Sequence, residues 1–423
     1  MHILYVHQNY PAQFGHIAAH LVEQRGWRCT FVSEREGGLD KGIEKIQYIT
    51  RGGATKHNSF YTRTFETAVA HAEAVYRALK ARPDIKPDLA VGHSGFGSTL
   101  FVPELLDCPI INFFEYYYRA HDSDMDFRPD SPVNEKKVLR SHVRNAMIQL
   151  DLQNCDAGYV PTQFQRSVFP KVHLPKLDVI FDGVDTAVYH RHGKKPSRCF
   201  KGSTIGPNTR IVTYCSRGFE RMRGFDIFMD AAKIIYQRYP DVIFLVAGTD
   251  RICYGGDEEQ IGKAKSLRHF VLSTGNYDLS KFMFVGWVSP PELANMLSLG
   301  DAHIYLTVPF VLSWSMMNAL ACGAVVVGSD TLPVREMITH GHNGFLADFF
   351  EPEQIAQQVL EVLRDPPAYQ PIRENAIEFI DRQYSLGAVL PRMLDLYERT
   401  VATGRQCQWE PMLDGGCQKP DAG

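Results

Sequence analysis

Three arginines stand close together in "YCSRGFERMRGFDIFMDAA" (214–232): Arg217, Arg221 and Arg223. The stretch follows the β-branched run "RIVTYC" (210–215) and precedes an amphipathic helical pattern. All three therefore fall at the carboxyl end of a strand. Guanidinium groups crowded in one loop repel one another unless an anion sits among them, and their planar forks match phosphate oxygens. A solvated basic turn is the plainer alternative, and this stretch alone leaves both standing.

A second candidate is "PFVLSWSMMNALACGAVVVGSDTLPVREMI" (309–338). It reads as loop, short helix, glycine, buried strand, loop, helix. Ser313 or Ser315 is a natural N-cap. The opening turn through Trp314, Met316 and Met317 offers free N–H groups at the positive end of the helix dipole, a setting suited to phosphate. Gly323 is placed to close the helix in a left-handed conformation. An ordinary strand–helix–strand unit with a routine cap would look the same. Asn318 also stands in this helix.

Elements that position these residues are legible as an alternation. Strand candidates in the first half are "ILYVH" (3–7), "CTFVS" (29–33), "LAVGH" (89–93), "PIINFF" (109–114), "AGYVP" (157–161) and "LDVIF" (177–181). Helical patterns lie between, as at 63–81 and 134–152. The second half repeats the scheme at 210–215, 242–248, 281–286, 302–307 and 324–329. Continuous apolar strands separated by helices mean parallel sheets covered on both faces. The fold class is thus α/β, with two Rossmann-like, doubly wound domains facing each other across a cleft, and ligands are expected at the carboxyl ends of the strands. The segment "HRHGKKPSRCFKGSTIGPNT" (190–209) has linker composition. The expected layout is a first domain over 1–190, a linker over 191–208, a second domain over 209–383, a helix over 384–402 broken by Pro391, and a tail over 403–423.

Bulk numbers narrow the class. At 423 residues the chain exceeds one ordinary core. With 44% hydrophobic and 22% charged residues it is globular by default. A net charge of -3 argues against a nucleic-acid-covering protein. The nine cysteines are scattered singly, which excludes zinc-ribbon and thioredoxin readings and suits a reducing compartment. No basic leader or long apolar run is seen, so a cytoplasmic location is expected. Peripheral contact with the inner membrane face stays open.

Both anion candidates resemble the donor domain of the retaining glycosyltransferases of family four, which have the GT-B fold. That family shows an Arg, a gap, then Lys-Gly; Arg217 and Arg223-Gly224 match. It also shows two glutamates eight positions apart. Here Phe310 stands for the first and Asn318, in "NALACG", for the second. The "PFVLSWS" form is similar to a subgroup lacking the first acid. "DTLPVREMI" matches a further family segment through Glu336. "FDGVDTAVYHR" (181–191), "PTQFQRSVFP" (161–170) and the glycine loop near Gly15 extend the match over nearly the whole chain to Gln383. Each motif is modest; their order is specific.

The resemblance implies transfer of a sugar from a nucleoside-diphosphate-sugar, UDP- or GDP-linked, to a saccharide, lipid-linked or metabolite hydroxyl, as in polysaccharide synthesis. It implies retention of configuration, with no metal and no bound cofactor. Arg217 and Arg223, with the amides near Ser315 and Met316, would stabilise the departing diphosphate. His93 and Glu115 would face the donor sugar. Gly15 and His16 would approach the diphosphate, and Asp250 and Arg251 the base or diphosphate. The Asn318 position would contact ribose. Amide for carboxylate there should cost about 1 kcal/mol, under tenfold in affinity. Two rivals remain: a sugar-nucleotide epimerase of the same fold, and a nucleotide-sugar-binding protein without turnover. The loops 33–42 and 51–63 are expected to shape the acceptor side.

Overall fold

The computed structural model describes residues 1–191, 198–255 and 257–406. The middle of the expected linker, Gly256, and the tail from 407 lie outside the described residues.

The first domain is built on β1 (His2–Val6), β2 (Arg28–Ser33), β3 (Gly38–Asp40), β4 (Ile43–Gln47), β5 (Leu89–His93), β6 (Ile110–Phe113), β7 (Ala157–Val160) and β8 (Leu177–Val179). Their spatial order is β3-β4-β2-β1-β5-β6-β7-β8. Only β3 runs antiparallel to its neighbour. After a small hairpin, β9 (Cys199–Phe200) and β10 (Ser203–Thr204), the second domain carries β11 (Arg210–Gly218), β12 (Val242–Thr249), β13 (Phe282–Gly286), β14 (Ala302–Tyr305), β15 (Val325–Ser329) and β16 (Phe345–Ala347). Its order is β13-β12-β11-β14-β15-β16, all parallel.

Helices on both faces explain the apolar runs: every residue of β1 and of β15 is buried. In each sheet the strand order reverses beside the first strand of the domain. At such a switch point the flanking loops diverge and leave a crevice. The loops after β1 and β5 therefore face those after β11 and β14.

The helix Leu386–Thr403 returns to the first domain. Val389, Met393, Leu396 and Tyr397 share a core with Ile3, Tyr5 and Phe14. It runs unbroken through Pro391, contrary to the sequence expectation. Pro391 lies on the exposed face, where the carbonyl that loses its donor is left to water. The strands β3 and β4 fall in and beside a segment read as loop. Leu39 is 74% exposed, so this edge lacks the burial pattern that announces a strand. Among the described residues no helix is long and apolar enough to cross a membrane.

Candidate functional site

A cavity of about 530 Å³ lies between the domains. The first domain lines it with His93 to Phe96, Glu115 and one face of the helix Glu135–Asn154; the second lines it with Arg217, Arg221, Tyr254 and Phe310.

The three arginines divide. Arg221 is neutralised by Asp130 of the first domain and by Asp226, the latter at 3.7 Å. Arg128 joins this network, reaching Asp226 at 2.6 Å and the Arg221 carbonyl at 2.9 Å. The expectation of a mutually repelling trio is thereby corrected: two acids, one far off in sequence, draw Arg221 into an interdomain clasp. Arg217 and Arg223 have no ion-pair partner among the described residues. Arg217 is an exposed residue near the end of β11, which runs beyond its expected limit to Gly218. Arg223 is buried and donates to Thr307 Oγ1 at 2.8 Å. Its guanidinium lies 5.0 Å from the ring centroid of Tyr254 and 5.9 Å from that of Phe310. Gly224 follows at φ 61, and a Cβ there would meet Leu306 Cβ at 2.6 Å, so the sharp turn behind Arg223 requires glycine.

Glu220 arranges the cover over Arg223. One carboxylate oxygen accepts from the N–H groups of Cys253 (3.0 Å), Tyr254 (2.8 Å) and Gly255 (3.2 Å). Phe310 wedges between the domains, its ring 4.7 Å from that of Tyr116. Where the resemblance expects an acid, this chain has an aromatic contact.

On the first wall, His93 sits at the end of β5 and Nδ1 lies 3.0 Å from the Ser94 carbonyl. A carbonyl can only accept, so Nδ1 carries the proton and Nε2 presents its lone pair. Nε2 is 4.0 Å from Glu115. Burial, then the charge of His7, hold His93 well below the usual histidine range, so the ring is neutral. Burial raises the Glu115 carboxyl, and Arg217 and Arg223 pull it back. Asp151 fixes the loop after His93 by accepting from Ser94 Oγ (2.9 Å) and Gly95 N–H (2.7 Å).

Other expected residues lie elsewhere. Gly15 is not at the cavity; its missing Cβ makes room for Pro11, 2.8 Å from where that atom would stand. His16 is exposed on the same helix. Asp250 is paired with Arg268 at 2.6 Å, and neither it nor the exposed Arg251 lines the cavity. The amides of Ser315 and Met316 are both bonded to Ser313, at 3.3 Å each, so the helix turn is capped by its own residue. Trp314 donates to Asp182 of the first domain at 2.8 Å, while Met317 is fully buried core. Burial pushes Asp182 up to about 7. Glu336 accepts from the N–H groups of Gln163 and Phe164, at 2.7 and 2.9 Å, capping a first-domain helix. Asn318 is buried, and its carboxamide makes no hydrogen bond among the described residues.

Sequence reading places Tyr254 in a loop over the cleft but missed its stacking on Arg223, and missed Arg140 and Arg144. The latter pair had a signal: basic residues at 137, 140 and 144 share a helix face. Phe60, in the loop 51–63 expected to shape the acceptor side, packs beneath Arg140, whose guanidinium lies 4.4 Å from the Phe60 ring centroid.

Residues 25–189 match the family model described as "Glycosyl transferase family 4 group", and residues 200–379 match "Glycosyl transferases group 1". The chain is built of two glycosyltransferase-family domains. The N-acetyl-alpha-D-glucosaminyl L-malate synthase of Bacillus anthracis is 21% identical over 258 residues, 60% of this chain and 62% of that one. The D-inositol 3-phosphate glycosyltransferase of Paenarthrobacter aurescens is 24% identical over 192 residues, 45% of this chain and 44% of that one. The chain thus spans about half the length of the curated relatives it matches. Sucrose-phosphate synthase from Thermosynechococcus elongatus superposes with a TM-score of 0.70 at 15% identity, covering 95% of this chain and 99% of its own. HepE of Anabaena, solved with UDP-glucose, gives 0.64 at 14% identity, covering 94% and 100%. These likenesses establish the GT-B fold.

Proposed function

We propose that the protein transfers a sugar from a nucleoside-diphosphate-sugar to an acceptor hydroxyl, with retention at the anomeric carbon and without a metal. One observation carries this reading. Two guanidinium groups have no acid partner among the described residues: Arg217 lines the second-domain side of a cavity whose opposite wall holds Glu115 and neutral His93, and Arg223 lies buried just behind that side under Tyr254 and Phe310. Two positive charges suit a departing diphosphate. The anomeric carbon–oxygen bond breaks and its electron pair leaves with the diphosphate. The acceptor oxygen bonds the same face of the sugar, and its proton passes to a leaving-phosphate oxygen. His93 Nε2 and the Glu115 carboxyl orient sugar hydroxyls. The Asn318 carboxamide, without a hydrogen bond among the described residues, is assigned to ribose hydroxyls. That relatives and neighbours are named for glycosyl transfer, and one was solved with UDP-glucose, supports the class of donor.

Calorimetry with UDP and GDP tests the donor. Incubation of labelled UDP- and GDP-sugars with acceptor extracts, with and without EDTA, tests turnover and metal dependence. Proton couplings of the product's anomeric position report configuration. A protein indifferent to both nucleotides, or an inverted product, refutes the corresponding part.

A further inference from the structure

The helix Glu135–Asn154 turns Lys137, Arg140, Ser141, Arg144 and Ile148 toward the cavity, at the spacing of a single helical face. Arg140 lies over the ring of Phe60 at 4.4 Å and Arg144 over that of Tyr118 at 3.6 Å. Stacking of this kind positions a guanidinium while leaving the edges of its fork available. Neither side chain makes an ion pair or a hydrogen bond among the described residues, and the Nε of each is buried without a partner. Burial, followed by the charges of Arg144 and Arg63, makes Arg140 a weaker base than usual, which shows how closely the cations are set. Asp124 also lines this cavity, but it is bonded to Tyr116 Oη at 3.1 Å and burial pushes its carboxyl up to about 6. Arg140 and Arg144 thus carry charge partly withdrawn from water and met by no ion pair among the described residues, with Asp124 an electrostatic neighbour of Arg144.

We propose that the acceptor carries a phosphate group, gripped by the forks of Arg140 and Arg144. Two forks at one-turn separation fit a dianion with three free oxygens better than a single carboxylate. The inference rests on the glycosyltransferase reading, since it assigns the donor diphosphate to the opposite wall. The same chemistry serves a soluble sugar or polyol phosphate and the headgroup of a phospholipid.

The test uses the full chain saturated with UDP. Glycerol 3-phosphate and glucose 6-phosphate are titrated beside glycerol and glucose, and vesicles of phosphatidylglycerol beside phosphatidylcholine. The expected result is binding by a phosphorylated probe only, weakened about 10- to 100-fold by Arg144→Gln or by Arg140→Gln. UDP affinity should hold within about twofold in both variants. Binding by soluble phosphates assigns the acceptor to that class, and binding by phosphatidylglycerol vesicles alone assigns it to lipid. The proposal is overturned if no phosphorylated probe binds, if the variants bind as the wild type does, or if they lose UDP instead. Melting curves accompany each variant, and Arg140→Gln decides the matter should Arg144→Gln not fold. UDP titration of the wild type reports on the donor reading by itself.

Discussion

The two walls of the interdomain cavity both present positive charge, but they hold it differently. On the second-domain side Arg223 is enclosed, hydrogen-bonded to Thr307 and covered by Tyr254 and Phe310. Its neighbour Arg221 is neutralised by two acids. On the first-domain side Arg140 and Arg144 lean on aromatic rings, with no hydrogen bond among the described residues to fix their forks. The first arrangement is rigid before any ligand arrives and suits an invariant group of the donor. The second can adjust, which suits a partner whose shape differs from one acceptor to another. Rigid placement lowers the ordering cost of binding, whereas adaptable placement carries that cost with each ligand.

Breaking the rigid side should have the largest effect. Arg223→Met is expected to cost about 3 kcal/mol of UDP affinity, roughly 100-fold or more, by calorimetry. The melting temperature should change little, because the apolar replacement removes a buried charge together with its Thr307 hydrogen bond and its contacts with Tyr254 and Phe310. A lower melting temperature would recast Arg223 as a structural residue. The loop on the adaptable side is anchored by Asp151, and pH reports on it. Burial raises this carboxyl from an ordinary 3.8 to about 7, against the hydrogen bonds from Gly95 and Ser94. The folded state thus binds the proton more tightly than the unfolded chain. Its stabilising contribution is complete below about pH 4 and is lost as pH rises toward 7, on the order of 2–4 kcal/mol. Asp151→Asn should flatten that decline in urea titrations between pH 4 and 7; an unaltered slope would place the proton elsewhere.

Arg217→Ala separates binding from stability. The side chain is exposed, so unfolding free energy should stay within about 0.5 kcal/mol. UDP affinity should fall by about 1.5–3 kcal/mol. Unchanged affinity would leave Arg223 as the whole of the anion site. Smallest is Asn318→Glu, expected to tighten UDP by about 1 kcal/mol, under tenfold. A large loss of affinity there would show that the carboxamide faces something other than a ribose diol.

The second domain was the more legible of the two because its determinants are contiguous. A β-strand, Arg217, Arg223-Gly224 and the helix after them occupy a single stretch, as do the cap at Ser313 and the glycine at 323. What the sequence could not tell is who spends those groups. Arg221 finds Asp130 across the cleft, and Glu336 finds the amides of Gln163 and Phe164. Both partners are remote in sequence, so local spacing is silent about them. Gly15 shows a related limit: a glycine required by a packing neighbour, Pro11, looks in sequence like one required by a ligand. The edge strand β3 and its neighbour β4 were hidden by exposed positions without alternation, and the first-domain arginines by a helix read only for its apolar pattern.

The chain passes between the domains twice, and the two passages touch. Val184 N–H donates to the Tyr384 carbonyl at 2.7 Å, and Leu386 N–H donates to the Val184 carbonyl at 2.9 Å. Two crossings tied side by side act as one pivot, which permits rotation about a line and resists shear or twist. Asp182, the partner of Trp314, stands two residues from that pivot, so its lever arm is short and widening the aperture strains it little. Admission and release of substrates would then be governed by the contacts with the longest reach from this line.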